Sequence, residues 1–278
     1  MLESGLMSLL TKKPIILTYQ CDMALSGSLV NRISVLFVRL SGWISLWKAR
    51  RVIVLSKDYA LSSVMLKRYL NKVVEISPPN RFESFIYEVE DATSFIDDKI
   101  VIGFVGRFAR EKGLDCLLKA MNNLVNENVY LYLAGDYQNI RGGSIYSEIK
   151  HLIEPLEGRV KLLGSLCDND LRKFYMKINI LALPSTNKFE AFGMVQLEAM
   201  TFGVIPITSN LPGVREVVNK TGIGYLVQPG NIEDLTIKLI KSINEIRKHD
   251  YKRLSISSKM KEKFSNRIFC EKYYEIFN

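Results

Sequence analysis

Short runs of apolar residues alternate along the chain with longer segments in which apolar residues recur every three or four positions. The short runs are typical of strands buried on both faces of a parallel sheet, and the longer segments of helices packed against it. The predicted strands are 14–19, 51–56, 72–76, 100–105, 129–134, 160–163, 179–183 and 204–208, followed by a turn and short strand over 222–227. This order predicts an α/β fold with right-handed crossovers between parallel strands.

Helical periodicity fills the segments between these strands and continues to the end of the chain. The predicted helices are 29–49, 61–70, 114–124, 145–153, 168–177, 193–203, 212–218, 231–243, 252–265 and 266–277. The first is either one helix or two helices broken near Ser41 and Gly42. Residues 81–98 show little periodicity and carry a cluster of acids, so we predict a linker there. We expect a first Rossmann-like domain over 1–90, which the helix at 266–278 can join, and a second over 91–265.

The stretch 184–200, PSTNKFEAFGMVQLEAM, carries Glu190 and Glu198 on either side of a predicted helix start at Gly193. The unpaired N–H groups of a helix start attract phosphate, and glycine lets a ligand approach the backbone. The two carboxylates are about 12 Å apart if the segment is helical, which is roughly the reach of a sugar-diphosphate-ribose. The alternative is ordinary capping chemistry, because glutamate is a good helix former and is common at helix starts.

A second cluster of charge lies in the loop after the strand at 100–105, which reads GRFAREKG over 106–113. Open α/β sheets bind ligands at the carboxyl ends of their strands. The planar guanidinium of Arg107 and the ammonium of Lys112 could hold a diphosphate and neutralise the charge that grows on it as it leaves. The alternative is a solvated basic loop, and these residues alone leave both interpretations open.

The motifs together resemble one family. GRFAREKGLDCLLKAM, AGD, LLGSL, LALPS, EAFGMVQLEAM and SNLPGVREVV follow the order and spacing of glycosyltransferase family 4. EAFGMVQLEAM resembles the E-x7-E signature of its retaining GT-B enzymes, and GRFAREKG resembles their GR-x4-KG segment. The resemblance covers about residues 99–245, and KPIILTYQCD with RRVIVLSKDYALSS gives a weaker match in the first domain. It implies a GT-B fold, in which two Rossmann-like domains face each other across the active-site cleft.

The resemblance also implies an activity, the transfer of a sugar from a UDP- or GDP-sugar to a saccharide or glycolipid acceptor with retention at the anomeric carbon. Arg107 and Lys112 would bind the diphosphate, Glu190 would contact the donor sugar, and Glu198 would hold the ribose hydroxyls. The other donor-site positions are Gly106, Gly164 against the base, Phe192, Gly193, Met194 and Val195.

Two residues after the first strand, Gln20 and Asp22, would lie on the acceptor side. Enzymes of this kind use protein cations where others use a metal, so we expect no metal and no cofactor. Asp168-Asn169-Asp170 has the letters of a metal motif, but its place before a helix predicts a cap. His151 and His249 lie away from other potential ligands, which argues against a histidine-based metal site.

Two features depart from the family. The family's first domain normally opens with a strand and a glycine-rich loop ahead of the PIILTY strand, so the first domain is predicted to be truncated. Gln20 stands where the family often has histidine, and glutamine cannot act as an acid or base at neutral pH. Both departures bear on catalysis more than on donor binding. They keep open a second hypothesis, a non-catalytic nucleotide-sugar-binding remnant or a subunit of a split glycosyltransferase.

The net charge of +9 adds a question about partners. The predicted helix at 29–49 mixes large apolar residues with isolated arginines and lysines. It is either a core helix whose basic residues reach solvent or an amphipathic helix on an anionic membrane. No nucleic-acid-binding signature accompanies the charge. Four dispersed cysteines, no apolar stretch of about 18–20 residues and no signal-peptide pattern predict a cytoplasmic protein, peripheral at the inner membrane face in the second case.

Overall fold

The structure, a computed structural model, describes residues 13–22, 29–89, 99–124, 128–138, 143–248 and 252–278, and their side chains except those of 29–33 and 87–89. His249 and residues 90–98 of the predicted linker lie outside the described residues. The rest of that segment is not irregular, since Glu83–Val89 forms a 3₁₀ helix.

Two parallel sheets form the framework of the described residues. A three-stranded sheet has the order β1-β2-β3, and a six-stranded sheet has the order β6-β5-β4-β7-β8-β9. The strands are β1 Ile15–Tyr19, β2 Ala49–Val54, β3 Val73–Glu75, β4 Ile100–Val105, β5 Val129–Ala134, β6 Val160–Gly164, β7 Ile180–Leu183, β8 Ile205–Ser209 and β9 Tyr225–Val227. Every strand pair is parallel. The predicted α/β architecture is therefore confirmed.

Helices connect the strands. They are α1 Leu29–Lys48, α2 Lys57–Ser62, α3 Leu114–Asn122, α4 Tyr146–Ile153, α5 Asp168–Lys177, α6 Met194–Thr201, α7 Glu216–Thr221, α8 Ile232–Arg247, α9 Arg253–Phe264 and α10 Asn266–Phe277. A search of the described residues finds no helix with the length and apolarity needed to cross a membrane.

The larger sheet is covered on both faces, as its continuous apolar strands predict. Along β4, Ile100, Ile102 and Phe104 belong to one core cluster. Val101 and Val105 pack against another. Because successive strand residues point to opposite faces, one six-residue strand supplies both cores. The sheet is thereby fixed in place, and the loops at its carboxyl edge start from rigid positions.

The smaller sheet shows one wrong prediction. The helix predicted at 61–70 is replaced by the shorter and earlier α2, which starts after Ser56, whose hydroxyl caps Tyr59 N–H at 3.2 Å. The helix ends at Ser63, which is extended and donates its hydroxyl to Asp22 at 2.6 Å. The helix thus stops at a residue whose side chain makes a long-range hydrogen bond, which no local sequence pattern reveals.

α1 is one continuous helix, which settles the alternative of a break at Ser41 and Gly42. Both residues are buried. The last helix, α10, returns to the smaller sheet, where Lys272 donates to the carbonyl of Glu75 at 3.3 Å. Its residue Phe277 lines a hollow together with strand β1. The chain end thus lies against the first sheet although it follows the second in sequence.

Candidate active site

The loops after β4 and β7 lie side by side because these two strands are neighbours in the larger sheet. Thr186 donates its backbone N–H to the carbonyl of Glu111 at 2.9 Å. Gly113 has a φ of 67°, and a Cβ at this position would lie 2.1 Å from the carbonyl oxygen of Pro184. Since only glycine allows such an approach, the two loops meet through direct backbone contact.

Lys112 and Glu190 form an ion pair across these two loops. The distance from Lys112 Nζ to Glu190 Oε2 is 2.5 Å, and the side chains are 20% and 15% exposed. Partial burial restricts both head groups more than a solvated surface pair would be restricted. The structure thus brings together two residues that the sequence placed at the donor site, while their roles toward a ligand stay predictions.

Arg107 lies in the same loop but is oriented differently. Its guanidinium contacts Glu111 at 3.3 Å, and its side chain is 56% exposed. Such an exposed pair contributes little stability, so the Arg107 side chain can reorient at small cost. Lys112 is the fixed cation of this loop, and Arg107 is the adjustable one.

The start of α6 lies directly after the loop that carries Glu190. Gly193 precedes the helix with φ 75°, and a Cβ there would lie 2.5 Å from Leu183 Cδ2. No side chain caps this helix start, where Met194 is exposed while Phe192 is buried and Val195 is packed on the core. The uncapped N–H groups and the helix dipole make this end of α6 suited to an anion.

Glu198 lies within α6 and is only 5% exposed. Its carboxylate accepts hydrogen bonds from Arg81 Nε at 2.9 Å, Arg81 Nη2 at 3.2 Å and Tyr175 Oη at 2.7 Å. Burial, reinforced by the charge of Glu198, raises the pKa of the Tyr175 phenol well above its usual value. A carboxylate offers about four acceptor positions, so three of them are already occupied.

The sequence analysis missed Arg81 and Tyr175. Arg81 follows β3 and lies 117 residues before Glu198, and Tyr175 comes from α5. The available signal was the position of Arg81 after a Pro-Pro-Asn run at a strand's carboxyl end, where parallel sheets place functional residues.

The predicted cap at Asp168-Asn169-Asp170 is wrong in detail. Cys167 is the residue before α5, no side chain caps the helix, and Asp168 is already helical. The Asp168 carboxylate pairs with Arg81 at 2.7 Å. The guanidinium of Arg81 therefore bridges Asp168 and Glu198, and the Asp168 carboxylate takes part in this long-range pair rather than in a cap.

Two further predicted donor-site positions lie at strand ends, since Gly106 directly follows β4 and Gly164 is the last residue of β6. Gly135 connects them: its N–H donates to the carbonyl of Gly164 at 2.8 Å, and a Cβ on it would lie 1.9 Å from the carbonyl oxygen of Gly106. A Cβ at Gly164 would meet no atom within 4 Å. The strand end at Gly164, where the sequence analysis placed the base, is therefore open at the position of a side chain.

On the opposite side, Asp22 anchors the end of β1. Its Oδ1 accepts from Tyr19 Oη at 2.5 Å and Ser63 Oγ at 2.6 Å, and its Oδ2 from Val64 N at 3.3 Å. Its backbone N–H donates to Tyr59 Oη at 2.7 Å. These bonds fix the Asp22 carboxylate in position, so it can orient a ligand group but is already heavily engaged.

The end of β1 lies close enough to the loop after β7 for charges to interact between them. Burial, together with the charges of Asp22 and Glu190, raises the pKa of the Cys21 thiol. Burial, with the charge of Asp22 also contributing, raises the pKa of Tyr59 to about 12. Gln20 is exposed at this strand end. The predicted acceptor-side residues, Gln20 and Asp22, flank Cys21 in sequence and thus lie near the loop that carries Glu190.

A cleft of about 450 Å³ lies between the end of β1 and the loop that carries Glu190. Its walls come from the end of β1, from α1, from the segment after α2 and from the loop just before Glu190. The lining residues are Tyr19, Cys21, Asp22, Val38, Arg39, Gly42, Ser62, Val64, Met65, Asn187, Lys188 and Phe189. The cleft therefore adjoins the loop that carries Glu190, while the loop of Arg107 and Lys112 does not line it.

The two sheets are joined next to this cleft by a charged contact. Asp58 accepts from Arg215 Nε at 2.8 Å, Arg215 Nη2 at 2.6 Å and Gly213 N at 2.8 Å. Burial opposes ionisation, but the hydrogen bonds from Arg215 and Gly213 outweigh it and hold the pKa of Asp58 below its usual value. A Cβ on Gly213 would lie 2.0 Å from the carbonyl oxygen of Ala191, so this contact adjoins the loop that carries Glu190.

The site's positive potential comes from two side chains and from the start of α6. Within the part of the chain that the structure describes, no group of three or more His, Cys, Asp or Glu residues could hold a metal ion. A fixed ammonium, an adjustable guanidinium and an uncapped helix start can together stabilise a negative charge that develops on a leaving group.

Comparison with known proteins gives a family match. A sequence model of the family described as glycosyl transferases group 1 matches residues 87–260. The capsular polysaccharide biosynthesis glycosyltransferase CapM of Staphylococcus aureus is 26% identical over 185 residues, which is 66% of this chain and 47% of CapM. A glycogen synthase of Petrotoga mobilis is 28% identical over 186 residues, or 64% of this chain and 37% of that protein. The chain spans about half the length, or less, of these curated relatives.

Solved structures show the same fold. Anabaena Alr3699/HepE in complex with UDP matches 99% of this chain and 75% of its own length, with a TM-score of 0.78 at 21% identity. Sucrose-phosphate synthase from Thermosynechococcus elongatus matches with a TM-score of 0.77 at 20% identity. At these identities the similarity concerns the arrangement of the two parallel sheets.

Proposed function

The chain belongs to the glycosyl transferases group 1 family and has a GT-B fold, and we propose that it transfers a sugar from a nucleotide diphosphate sugar, with retention, to a saccharide or lipid-linked acceptor. The product would be part of a polysaccharide or glycoconjugate. The observation that carries the proposal is the contact of Lys112 with Glu190 beside the uncapped start of α6.

The donor would lie along the carboxyl edge of the larger sheet. Its diphosphate would rest on the start of α6, with Lys112 on one side and Arg107 turned inward from the solvent. Glu190, already next to Lys112, would accept from hydroxyls of the donor sugar. As the bond to the anomeric carbon breaks, Lys112 and Arg107 would stabilise the growing charge of the leaving diphosphate.

Glu198 would hold the ribose through its remaining acceptor position. Arg81 and Tyr175 occupy the other positions and fix the orientation of the carboxylate. Because a preoriented acceptor loses little freedom when the ligand binds, this arrangement favours affinity. The relatives support a UDP-sugar first, since HepE is described in complex with UDP and with UDP-glucose.

The test compares UDP-glucose, GDP-mannose and ADP-glucose for thermal stabilisation and for sugar transfer or hydrolysis. A ligand at a hundred times its dissociation constant should add about 2.7 kcal/mol to the free energy of unfolding. We expect Lys112→Met and Glu190→Gln each to lower turnover by about 10²–10³-fold, the usual effect of removing one charge-stabilising group.

Arg110→Met is the matched control. Arg110 lies in the same loop but contacts Glu148 on the exposed side, with its own side chain 75% exposed. It should keep turnover within about twofold, because surface pairs contribute little. If the Lys112 and Glu190 variants keep the turnover of the parent, as the Arg110 variant should, the donor site is elsewhere.

A second candidate is a nucleotide-sugar-binding chain without turnover of its own. Gln20 favours it, because an exposed glutamine takes the place where the family often has histidine. Donor stabilisation that Lys112→Met weakens, combined with no transfer or hydrolysis, would select this candidate. Turnover that appears with Gln20→His would return the site to the enzyme hypothesis.

A further inference from the structure

α1 packs with its small side chains inward and its large ones outward. Ser41, Gly42 and Ser45 are buried, and Leu46 is the large residue among them. The opposite side, called here the outer face, consists of six large apolar residues between 41% and 62% exposed: Leu36, Phe37, Leu40, Trp43, Ile44 and Trp47. A helix that served only the core would show the reverse arrangement.

The outer face is one continuous stripe. At 3.6 residues per turn, its six residues fall within an arc of about 120°. Arg39 lies just beyond one edge of the arc and Lys48 just beyond the other. The helix contains no aspartate or glutamate. An apolar stripe with basic residues on both edges has the pattern of a helix that lies in the plane of a membrane surface.

Neighbouring residues extend this pattern. The Lys48 ammonium lies 4.6 Å from the ring centre of Trp47, and the Arg68 guanidinium 5.9 Å from that of Trp43. Val64, 69% exposed, lines the same cleft as α1. Tryptophan with an adjacent cation suits the boundary between lipid headgroups and acyl chains, where a ring meets both apolar and charged surroundings.

We propose that the outer face of α1 docks on a bilayer surface that contains anionic phospholipids. A contiguous stripe of exposed, large apolar residues marks an interaction surface. Charge distinguishes between two possible partners, a second copy of the chain and a membrane. In a two-fold dimer the outer face would pack against itself and bring the basic Arg39 and Lys48 of both copies to the same interface, where like charges repel. An anionic bilayer instead complements both the stripe and its basic edges.

The docking would also bear on the cleft, since Val38, Arg39 and Gly42 of α1 line it. A lipid-linked acceptor could then reach the cleft directly from the bilayer. This consequence rests on the proposed function, whereas the docking itself does not, and vesicle binding can be measured without any nucleotide sugar.

The experiment uses sedimentation of the whole chain with phosphatidylcholine vesicles, either pure or containing phosphatidylglycerol. The two tryptophans of the sequence, Trp43 and Trp47, both belong to the outer face, so tryptophan emission reports on it alone. We expect sedimentation and a shift of emission to shorter wavelength with anionic vesicles, and both to weaken with pure phosphatidylcholine and at high salt.

Variants locate the contact. Leu40→Ser should lower the partition coefficient by about tenfold, from lost apolar burial. Lys48→Gln should lower it about fivefold, the effect of one basic residue at an anionic surface. Ile237→Ser is the matched control, since Ile237 is an exposed apolar residue of α8 at 53% exposure. It should bind as the parent does.

Three results would overturn the proposal. They are no sedimentation with anionic vesicles, an equal loss in Ile237→Ser and Leu40→Ser, or sedimentation with no change in tryptophan emission. If the chain does not bind vesicles but forms concentration-dependent dimers, and Leu40→Ser abolishes those dimers, the outer face binds a second copy of the chain. Circular dichroism of each variant shows that the helix is intact, so loss of binding is not loss of fold.

Discussion

Two regions around the cleft are built in different ways. The donor loops, 106–113 and 184–193, meet through a backbone contact that requires glycine at position 113, and the Lys112–Glu190 ion pair lies beside it. The seam, where the smaller sheet meets the larger, is held by charged side chains: Arg81 with Glu198, Asp58 with Arg215, and Lys220 with Glu75. A close backbone contact tolerates almost no displacement, whereas an ion pair between side chains can increase its distance or exchange partners. The donor loops should therefore be rigid and the seam adjustable.

The largest expected effect tests the donor loops. Gly113→Ala should lower the free energy of unfolding by about 3 kcal/mol, because alanine is strained at φ 67° and its Cβ would strike the carbonyl of Pro184. Chemical denaturation measures this change. Gly158→Ala is the control: Gly158 has φ 81° but no atom within 4 Å of its Cβ position, so only about 1 kcal/mol of strain applies. Equal losses would mean that the loops do not meet through backbone contact.

An intermediate effect tests the seam beside the donor. Arg81→Met should lower the free energy of unfolding by about 2 kcal/mol, since it leaves the buried Glu198 carboxylate with Tyr175 as its partner. Donor affinity should fall with it, because the orientation of Glu198 is no longer fixed. Thermal denaturation with and without donor separates the two changes.

Arg81→Met combined with Glu198→Gln should recover part of the lost stability but none of the donor affinity. Arg267→Met, on a side chain 83% exposed, is the surface control. Donor binding that survives in Arg81→Met while stability falls would limit Arg81 to a structural role.

The smallest effect is a pH dependence at the seam. Because hydrogen bonds hold the pKa of Asp58 below its unfolded value, the pair with Arg215 stabilises the fold above the unfolded pKa of about 3.9. That stability is lost as the pH falls through the lower folded pKa. Asp58→Asn should therefore be about 1 kcal/mol less stable than the parent at pH 7. The difference should shrink from about pH 5 downward.

Urea denaturation across this pH range, with Arg215→Met and the double variant, gives the coupling between the two residues. If the difference in free energy of unfolding between the parent and Asp58→Asn stays constant with pH, ionisation of Asp58 does not stabilise the seam.

Local sequence patterns were sufficient for much of the larger sheet. Its strands and the loop after β4 were predicted closely, because strands buried on both faces are continuous apolar runs and the loops follow directly. The smaller sheet was predicted less well. The helix expected at 61–70 is replaced by α2, which ends before Ser63, and Ser63 bonds to Asp22, a partner 41 residues away that no local pattern reveals. The predicted domain limits and ligand roles stay predictions.

The sequence by itself determined the strands, the charged loops at their carboxyl ends and the family, since each of these is written in contiguous residues. Only the tertiary structure decided that Lys112 contacts Glu190, that Glu198 is held by Arg81 and Tyr175, and that α1 turns its large apolar side chains outward. The reason is physical. Spacing along the chain fixes which face a residue shares, but burial and charge partners depend on segments far apart in sequence that meet only when the sheets assemble.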